Sequence, residues 1–246
     1  MSHHYHTCID DCRRNRNPRP EIMTLHISPD KKLFWIIFVD IKDDRSYSIA
    51  MTPAKELKRE QILDHGIRLL MVHGYHGTGV KLILDTVKVP KGSFYSYFES
   101  KENFTAEAIA HYIEPFLTKL QFYLAKPELD GLAAIKAYFA AMTQELEERD
   151  FSGGCLLGDM MCELGGVSDV CRQALREAID RYCALLEQGL SSAQQAGIVR
   201  SDIPTTTMAR LLFDAWLGDL LQMKVEQSTL PLQRFSSELL NNYITS

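Results

Sequence analysis

Six cysteines are spread over the 246 residues, and one of them, Cys155, stands where a thiol can do chemistry. It follows Gly153 and Gly154 and opens an apolar run with helical spacing. A thiol at a helix N-terminus meets unpaired N–H groups whose dipoles favour the thiolate, and the thiolate is the species that adds to electrophiles or oxidises to a sulfenic acid. The position predicts a lowered thiol pKa, and the two glycines predict an accessible sulfur. Cys162 lies seven residues on, roughly 10.5 Å along a helix, beyond the ~7 Å Cα separation that a disulfide tolerates. Cys171 and Cys183 do not share a helical face, so no intrachain disulfide is expected. The competing reading of a lone cysteine is a small buried apolar residue. As an enzyme nucleophile Cys155 would need a base, and His111 is the nearest in sequence. No Ser/His/Asp or Cys/His arrangement supports that chemistry, so no catalytic residue is assigned.

A second cluster lies between Gly79 and Lys101. Lys91, Ser93, Tyr95 and Tyr97 put short polar and phenolic groups near the start of a short helix, where they suit phosphates and base edges. Gly92 removes a side chain where a DNA backbone would come close. Lys101 opens the next helix, where free N–H groups and an ammonium can share one phosphate. His3, His4, His6, Cys8 and Cys12 lack a second ligand pair at zinc-site spacing, so neither a metal nor a cofactor is expected.

These residues need elements to hold them. Ile62, Leu63, Gly66, Leu69 and Leu70 recur at helical spacing from Lys55 and stop at Gly74. Gly66 on that apolar face predicts close approach of another helix. A second helix over 79–87 follows, and a third over 91–98 after Pro90; Ser100 reads as the N-cap of a fourth. Further helices are predicted near 101–125, 130–149, 155–164, 168–197, 204–227 and 231–244, with Pro115 expected to kink the first of these. No strand pattern recurs. The expected fold is all-α: a three-helix helix-turn-helix head over 51–102, with its motif at 79–98, and a larger helical effector and dimerisation body over 103–246. Phe139, Met142, Met160, Trp216 and Leu220 are candidates to line a pocket in that body, with ordinary helix packing as the alternative.

Composition sets the bounds. The chain is 46% hydrophobic and 24% charged, ordinary for a globular protein. Its net charge of −5 conceals a split. Residues 51–101 hold eight Lys and Arg against five Asp and Glu, while 102–246 hold eleven against twenty. A locally basic head is what phosphate contact requires. No apolar run approaches the ~20 residues that cross a bilayer. Sparse cysteines and the lack of a basic-then-apolar leader predict a reducing, cytoplasmic setting. Residues 1–50, with RRNRNPRP and a lone candidate strand at Leu33–Val39, read as a poorly ordered extension. Met51 opens a self-sufficient sequence, so a start-site artefact is one expectation for the first fifty residues.

The run Val89 to Phe104, VPKGSFYSYFESKENF, resembles the signature of the TetR/AcrR family of bacterial transcriptional regulators, and the first helix with its Gly74-Tyr75 ending matches too. The resemblance implies a homodimer that binds a pseudo-palindromic double-stranded operator, usually a repressor released by an effector. By position, Lys91, Gly92 and Ser93 match base or backbone contacts of the recognition helix. Tyr95, Tyr97 and Lys101 match phosphate contacts, and Lys81 matches a DNA-facing position of the preceding helix. Gly79 replaces the family's frequent Thr, leaving Thr78 as the expected cap of the second helix. The resemblance also implies a dimer face on the last two long helices, with Leu211, Leu212, Ala215, Leu239, Leu240 and Tyr243 as candidates. Ser152-Gly153-Gly154-Cys155-Leu156, and Trp216-Leu217-Gly218 with Gln222-Met223-Lys224, resemble the N-ethylmaleimide-responsive branch of the family. That likeness implies that Cys155 senses an electrophile or oxidant and that Lys224 is its partner ammonium, with the helix over 101–125 passing the signal to the head. A non-covalently held organic ligand is the alternative effector.

Overall fold

The computed structural model describes residues 53–245 apart from 88, 152 and 153. The expected extension over 1–50 and its His/Cys group lie outside the described residues. Among the described residues the protein is all-α: α1 (Pro53–Gly77), α2 (Val80–Val87), α3 (Lys91–Phe94), α4 (Lys101–Leu124), α5 (Gly131–Glu147), α6 (Leu156–Leu164), α7 (Asp169–Gln195), α8 (Thr205–Glu226), α9 (Leu230–Arg234) and a wider-turned π-type helix, α10 (Phe235–Tyr243). Within them, no helix is long and apolar enough to cross a membrane.

The head is α1 to α3 closed by the first turns of α4. Ile62, Leu63, Ile67 and Leu70 of α1 and Ile83 and Leu84 of α2 are buried against Phe94, Phe98 and Phe104. The three phenylalanine rings form one cluster, with centroids 5.0 to 5.7 Å apart. Burying each such side chain stabilises the head by roughly 1.5–3 kcal/mol. The expectation for Gly66 holds: a Cβ there would lie 2.1 Å from Cζ of Phe104, so only a bare backbone lets α4 seat that ring. Phe104 belongs to the head core although it lies beyond residue 102.

Local signals set most boundaries. Ser100 caps α4 by accepting from the Asn103 N–H at 3.0 Å. Asp130 and Ser168 do the same for α5 and α7. Three details differ from the sequence reading. The third helix is one turn long, Lys91–Phe94, and then tightens into turns in which Phe94 O accepts from the N–H groups of both Tyr97 and Phe98 at 2.9 Å. The hydrophobic demand of placing Phe94 and Phe98 in one core outweighs helix continuation there. Thr78 does not cap α2. It is buried, and its hydroxyl turns back to donate to the carbonyls of Gly74 and Leu69, at 2.7 and 3.2 Å. The last helix changes from α to wider turns at Phe235. α4 runs on through the exposed Pro115.

In the body, α4 and α7 form the central pair, flanked by α5, α6 and α8. α5 crosses α7 at a glycine pair: a Cβ on Gly131 would sit 1.9 Å from the backbone oxygen of Gly189. This contact is made by backbone, so no side-chain rotation could relieve it.

Candidate functional site: a DNA-facing head and a thiol at the start of α6

On the outer side of the head, Lys81 is exposed on α2, and Lys91 is the first residue of α3. Gly92 is exposed, and a Cβ there would meet nothing within 4 Å. Ser93 accepts from the Ser96 hydroxyl at 2.7 Å through its carbonyl. Tyr95 is 61% exposed and edges onto buried Phe94, a ring presented to solvent on a rigid base. Tyr97 is half-buried beneath the Lys55 ammonium, which lies 5.6 Å from its ring centre. Lys101 differs from expectation. Its ammonium donates to the Tyr75 carbonyl and lies 3.9 Å over the Tyr75 ring, and burial lowers its pKa against the opposing pull of Glu163. In this state Lys101 is committed to the junction between α1 and α2.

Cys155 is the N-cap residue of α6 and only 9% exposed. The expected lowered pKa and open access are not found. Burial pushes the thiol above its ordinary range; the N–H groups of Gly158 and Leu157 and the Tyr112 hydroxyl pull the other way, and Asp159 adds to the rise. The N–H groups at the start of α6 thus favour the thiolate without overcoming desolvation, the larger effect. Tyr112 of α4 is half-buried as a residue, but its hydroxyl lies in the dry interior between Cys155 and the start of α6. Tyr138 and Tyr182 complete a buried group of phenols, with Tyr182 donating to Tyr138 at 3.1 Å. Just before the thiol, Asp150 and Phe151 both hold positive φ, at 51° and 56°. Two consecutive non-glycine residues in that region store strain in the α5–α6 connection.

Lys224 is exposed near the end of α8, and a Cβ on Gly154 would lie 3.3 Å from its ammonium. Its charge acts on Asp159, whose carboxyl is nevertheless raised by burial. Lys224 also borders a shallow depression of about 280 Å³ at the head–body junction, which it shares with Asp159, the exposed Cys162 and the end of α1. The ammonium thus lies beside the residue preceding Cys155.

Phe139, Met142, Met160, Trp216 and Leu220 are all buried. The rings of Phe139, Trp216 and Phe235 pack on one another at 4.8 to 5.3 Å, so these candidates fill the body's core in this state. Of the six interface candidates, Leu212 and Leu240 face inward, Leu211 and Tyr243 are exposed, and Ala215 and Leu239 are half-buried. On α8, Leu211, Ala215, Gly218 and Val225 follow a helical stripe that ends in Val225, 84% exposed.

Sequence reasoning missed Glu163 and Tyr112. One carboxylate oxygen of Glu163 accepts from the Tyr75 N–H at 2.9 Å and the other from the His76 N–H at 3.1 Å. A signal for Glu163 existed: an acidic residue in the last turn of a helix opposes the helix dipole. Nothing in local sequence marks Tyr112, because an aromatic on the inner face of α4 reads as core.

Two family models match this chain. One describes bacterial regulatory proteins of the tetR family and covers residues 62–108; the other describes the tetracyclin repressor-like C-terminal domain and covers 131–239. The chain is 29% identical to the HTH-type transcriptional repressor DhaR of Mycobacterium sp. (strain GP1), over 76% of this chain and 90% of that protein. It is also 29% identical to the HTH-type transcriptional repressor NemR of Escherichia coli (strain K12), over 74% of this chain and 92% of that one. The crystal structure of reduced E. coli NemR superposes with a TM-score of 0.67, covering 77% of this chain and 97% of that one.

Proposed function

From the premise that the chain belongs to the tetR family of bacterial transcriptional regulators, we propose that this repressor leaves its operator when an electrophile or oxidant modifies Cys155. Its relatives are regulators of transcription, and the head carries the DNA-facing groups such a regulator needs. The repressor acts in the cytoplasm as a homodimer. The stripe of Leu211, Ala215, Gly218 and Val225, together with the exposed Tyr243 of α10, supplies the dimer face, and the two heads read successive half-sites of a pseudo-palindrome about 34–36 Å apart. Lys81, Lys91, Gly92, Ser93, Tyr95 and Tyr97 make the DNA contacts.

The observation that carries the sensing step is where the thiol sits: at the start of α6, buried against Tyr112 of α4. With an activated alkene, the thiolate lone pair forms a C–S bond while the C=C π bond breaks, and the resulting carbanion takes up a proton, leaving no by-product. With a hydroperoxide, oxygen transfer gives the sulfenic acid and the corresponding alcohol or water. Either product adds atoms to a close-packed interior. Overpacking of that kind costs roughly 1–3 kcal/mol, the same range as a typical allosteric coupling of about 1–3 kcal/mol. One adduct therefore supplies enough free energy to favour a second packing of α4 and α6 that no longer fits the operator.

The test is operator binding by fluorescence anisotropy on the gene's own upstream DNA, with reduced protein, N-ethylmaleimide-treated protein and Cys155→Ser. The expected result is release on treatment of the wild type and none in the variant. Full release of Cys155→Ser would exclude covalent sensing at this residue and favour a non-covalent ligand.

A further inference from the structure

We infer that Glu163 is the residue through which the state of Cys155 reaches the DNA-binding head, a positioning residue that fixes how the helix-turn-helix sits on the body; this rests on the reading of Cys155 as the sensor. The backbone sets up the need. At Gly74 the chain leaves the helix, with φ 70° and ψ 178°, and the N–H groups of Tyr75 and His76 turn away from the α1 ladder. Both find the Glu163 carboxylate, one on each oxygen, at 2.9 and 3.1 Å. Charge-assisted bonds of this kind are stronger than neutral ones.

Gly74 is required twice over. Its φ suits glycine alone, and a Cβ there would lie 2.5 Å from Oε1 of Glu163. The clasped peptides are themselves a junction. The Tyr75 carbonyl accepts from the Lys101 ammonium of α4 and from the Thr78 N–H, and the Thr78 hydroxyl donates to the Gly74 carbonyl. α2 begins at Val80, four residues beyond His76. Whatever holds Tyr75 and His76 therefore sets the approach of the whole motif.

α6 connects this junction to the thiol. Cys155 and Glu163 are eight residues apart at opposite ends of one short helix, about 12 Å at 1.5 Å per residue. Leu156, Leu157, Met160 and Leu164 bury its inner face, so it moves as a unit. The position of Glu163 has no local explanation, because a carboxylate at a helix C-terminus works against that helix. An adduct at Cys155 shifts the N-terminal end of α6 against Tyr112, and the far end draws the carboxylate away from two N–H groups of the head.

The experiment measures operator affinity of the full-length dimer before and after N-ethylmaleimide for wild type, Glu163→Ala, Glu163→Gln and Cys155→Ser. Peptide mass spectrometry confirms the adduct at Cys155 as distinct from the exposed Cys162, and thermal melting with size-exclusion chromatography confirms folding. Wild type is expected to lose at least about fivefold in affinity on modification, the low end of allosteric coupling. Reduced Glu163→Ala is expected within about twofold of modified wild type and to change less than twofold on modification, although it acquires the same adduct. Glu163→Gln keeps one acceptor oxygen and is expected between the two, a gradation that serves if the alanine variant does not fold. If both Glu163 variants bind like reduced wild type and still release, the inference is overturned. The two readings fail differently. A Cys155→Ser protein that still releases removes the sensor assignment, whereas a Cys155→Ser protein blind to the reagent, alongside Glu163 variants that respond normally, removes the role of Glu163.

Discussion

Cys155 is expected to react slowly, at a rate that rises with pH. Its thiol pKa is raised by burial and by Asp159, and the N–H groups of Gly158 and Leu157 with the Tyr112 hydroxyl only partly offset this. An ordinary cysteine is a few per cent thiolate at pH 7, so Cys155 holds less than that. Below a raised pKa the thiolate fraction grows about tenfold for each pH unit. Between pH 6 and pH 8 the alkylation rate therefore rises by about a hundredfold, with no plateau. Had the helix N-terminus won over desolvation, the pKa would lie below the working range and the profile would be flat.

The assay is peptide mass spectrometry of timed N-ethylmaleimide labelling, with reagent dilute enough that the rate is proportional to its concentration. That condition keeps opening of the core from becoming rate-limiting. The exposed Cys162 in the same chain is the internal reference, and it labels faster than Cys155 at pH 7. Tyr112→Phe removes a hydroxyl that favours the thiolate and so slows Cys155 further. A Cys155 rate that is level from pH 6 to pH 8, or that exceeds the Cys162 rate at pH 7, would refute the account of the site.

Three further outcomes are expected. Gly66→Ala drives a Cβ to 2.1 Å from the buried Phe104 ring, so the head loses about 1–3 kcal/mol and operator affinity falls; denaturant melting indistinguishable from wild type would show that the ring can yield. Tyr138→Phe leaves the Tyr182 hydroxyl buried without its 3.1 Å acceptor and costs about 1–3 kcal/mol, seen as a lower urea midpoint at unchanged slope; equal midpoints would mean that Tyr182 finds another partner. Lys81→Ala, an exposed substitution, leaves stability within about 0.5 kcal/mol but lowers the salt dependence of operator binding by about one unit of slope; an unaltered slope would take Lys81 off the phosphate backbone.

The head was legible in the sequence because its determinants are local. Apolar spacing from Ile62 to Leu70, the break at Gly74, Pro90 and the Ser100 cap each act within a few residues, and α1, α2 and α4 follow them. What escaped was decided across the fold. Thr78 faces away from the helix it was expected to cap because carbonyls of the preceding helix end lie closer. Lys101 sits where its spacing predicts, but the Tyr75 carbonyl and ring take its ammonium. The third helix shortens so that two phenylalanines reach one core. For Cys155 the position at a helix start was correct and the electrostatic inference was not. The favourable dipole is visible in sequence, whereas the burial that outweighs it comes from α4, α5 and α7. Glu163 acts on residues 87 and 88 positions away, so its unfavourable place at a helix C-terminus marks it as unusual without naming its partners.

The slow thiol and the clasped head belong to one argument about where a sensor must sit. Cys162 is the more accessible sulfur of α6, and an adduct there has the open depression it shares with Gly74, Asp159, Glu163 and Lys224 to extend into. Cys155 is harder to reach, and that burial is what gives its modification a mechanical effect, because added atoms in a dry, close-packed site must be accommodated by moving helices. Reactivity and leverage thus oppose each other along this one helix. If leverage governs, an enlarged residue should imitate the adduct without any chemistry. Cys155→Phe, in a protein that still folds and dimerises, is expected to bind the operator as weakly as alkylated wild type and to ignore N-ethylmaleimide. Cys162→Phe is expected to bind and release like wild type. Tight operator binding by Cys155→Phe would mean that the interior absorbs the extra volume, and steric transmission along α6 would then be lost as an explanation.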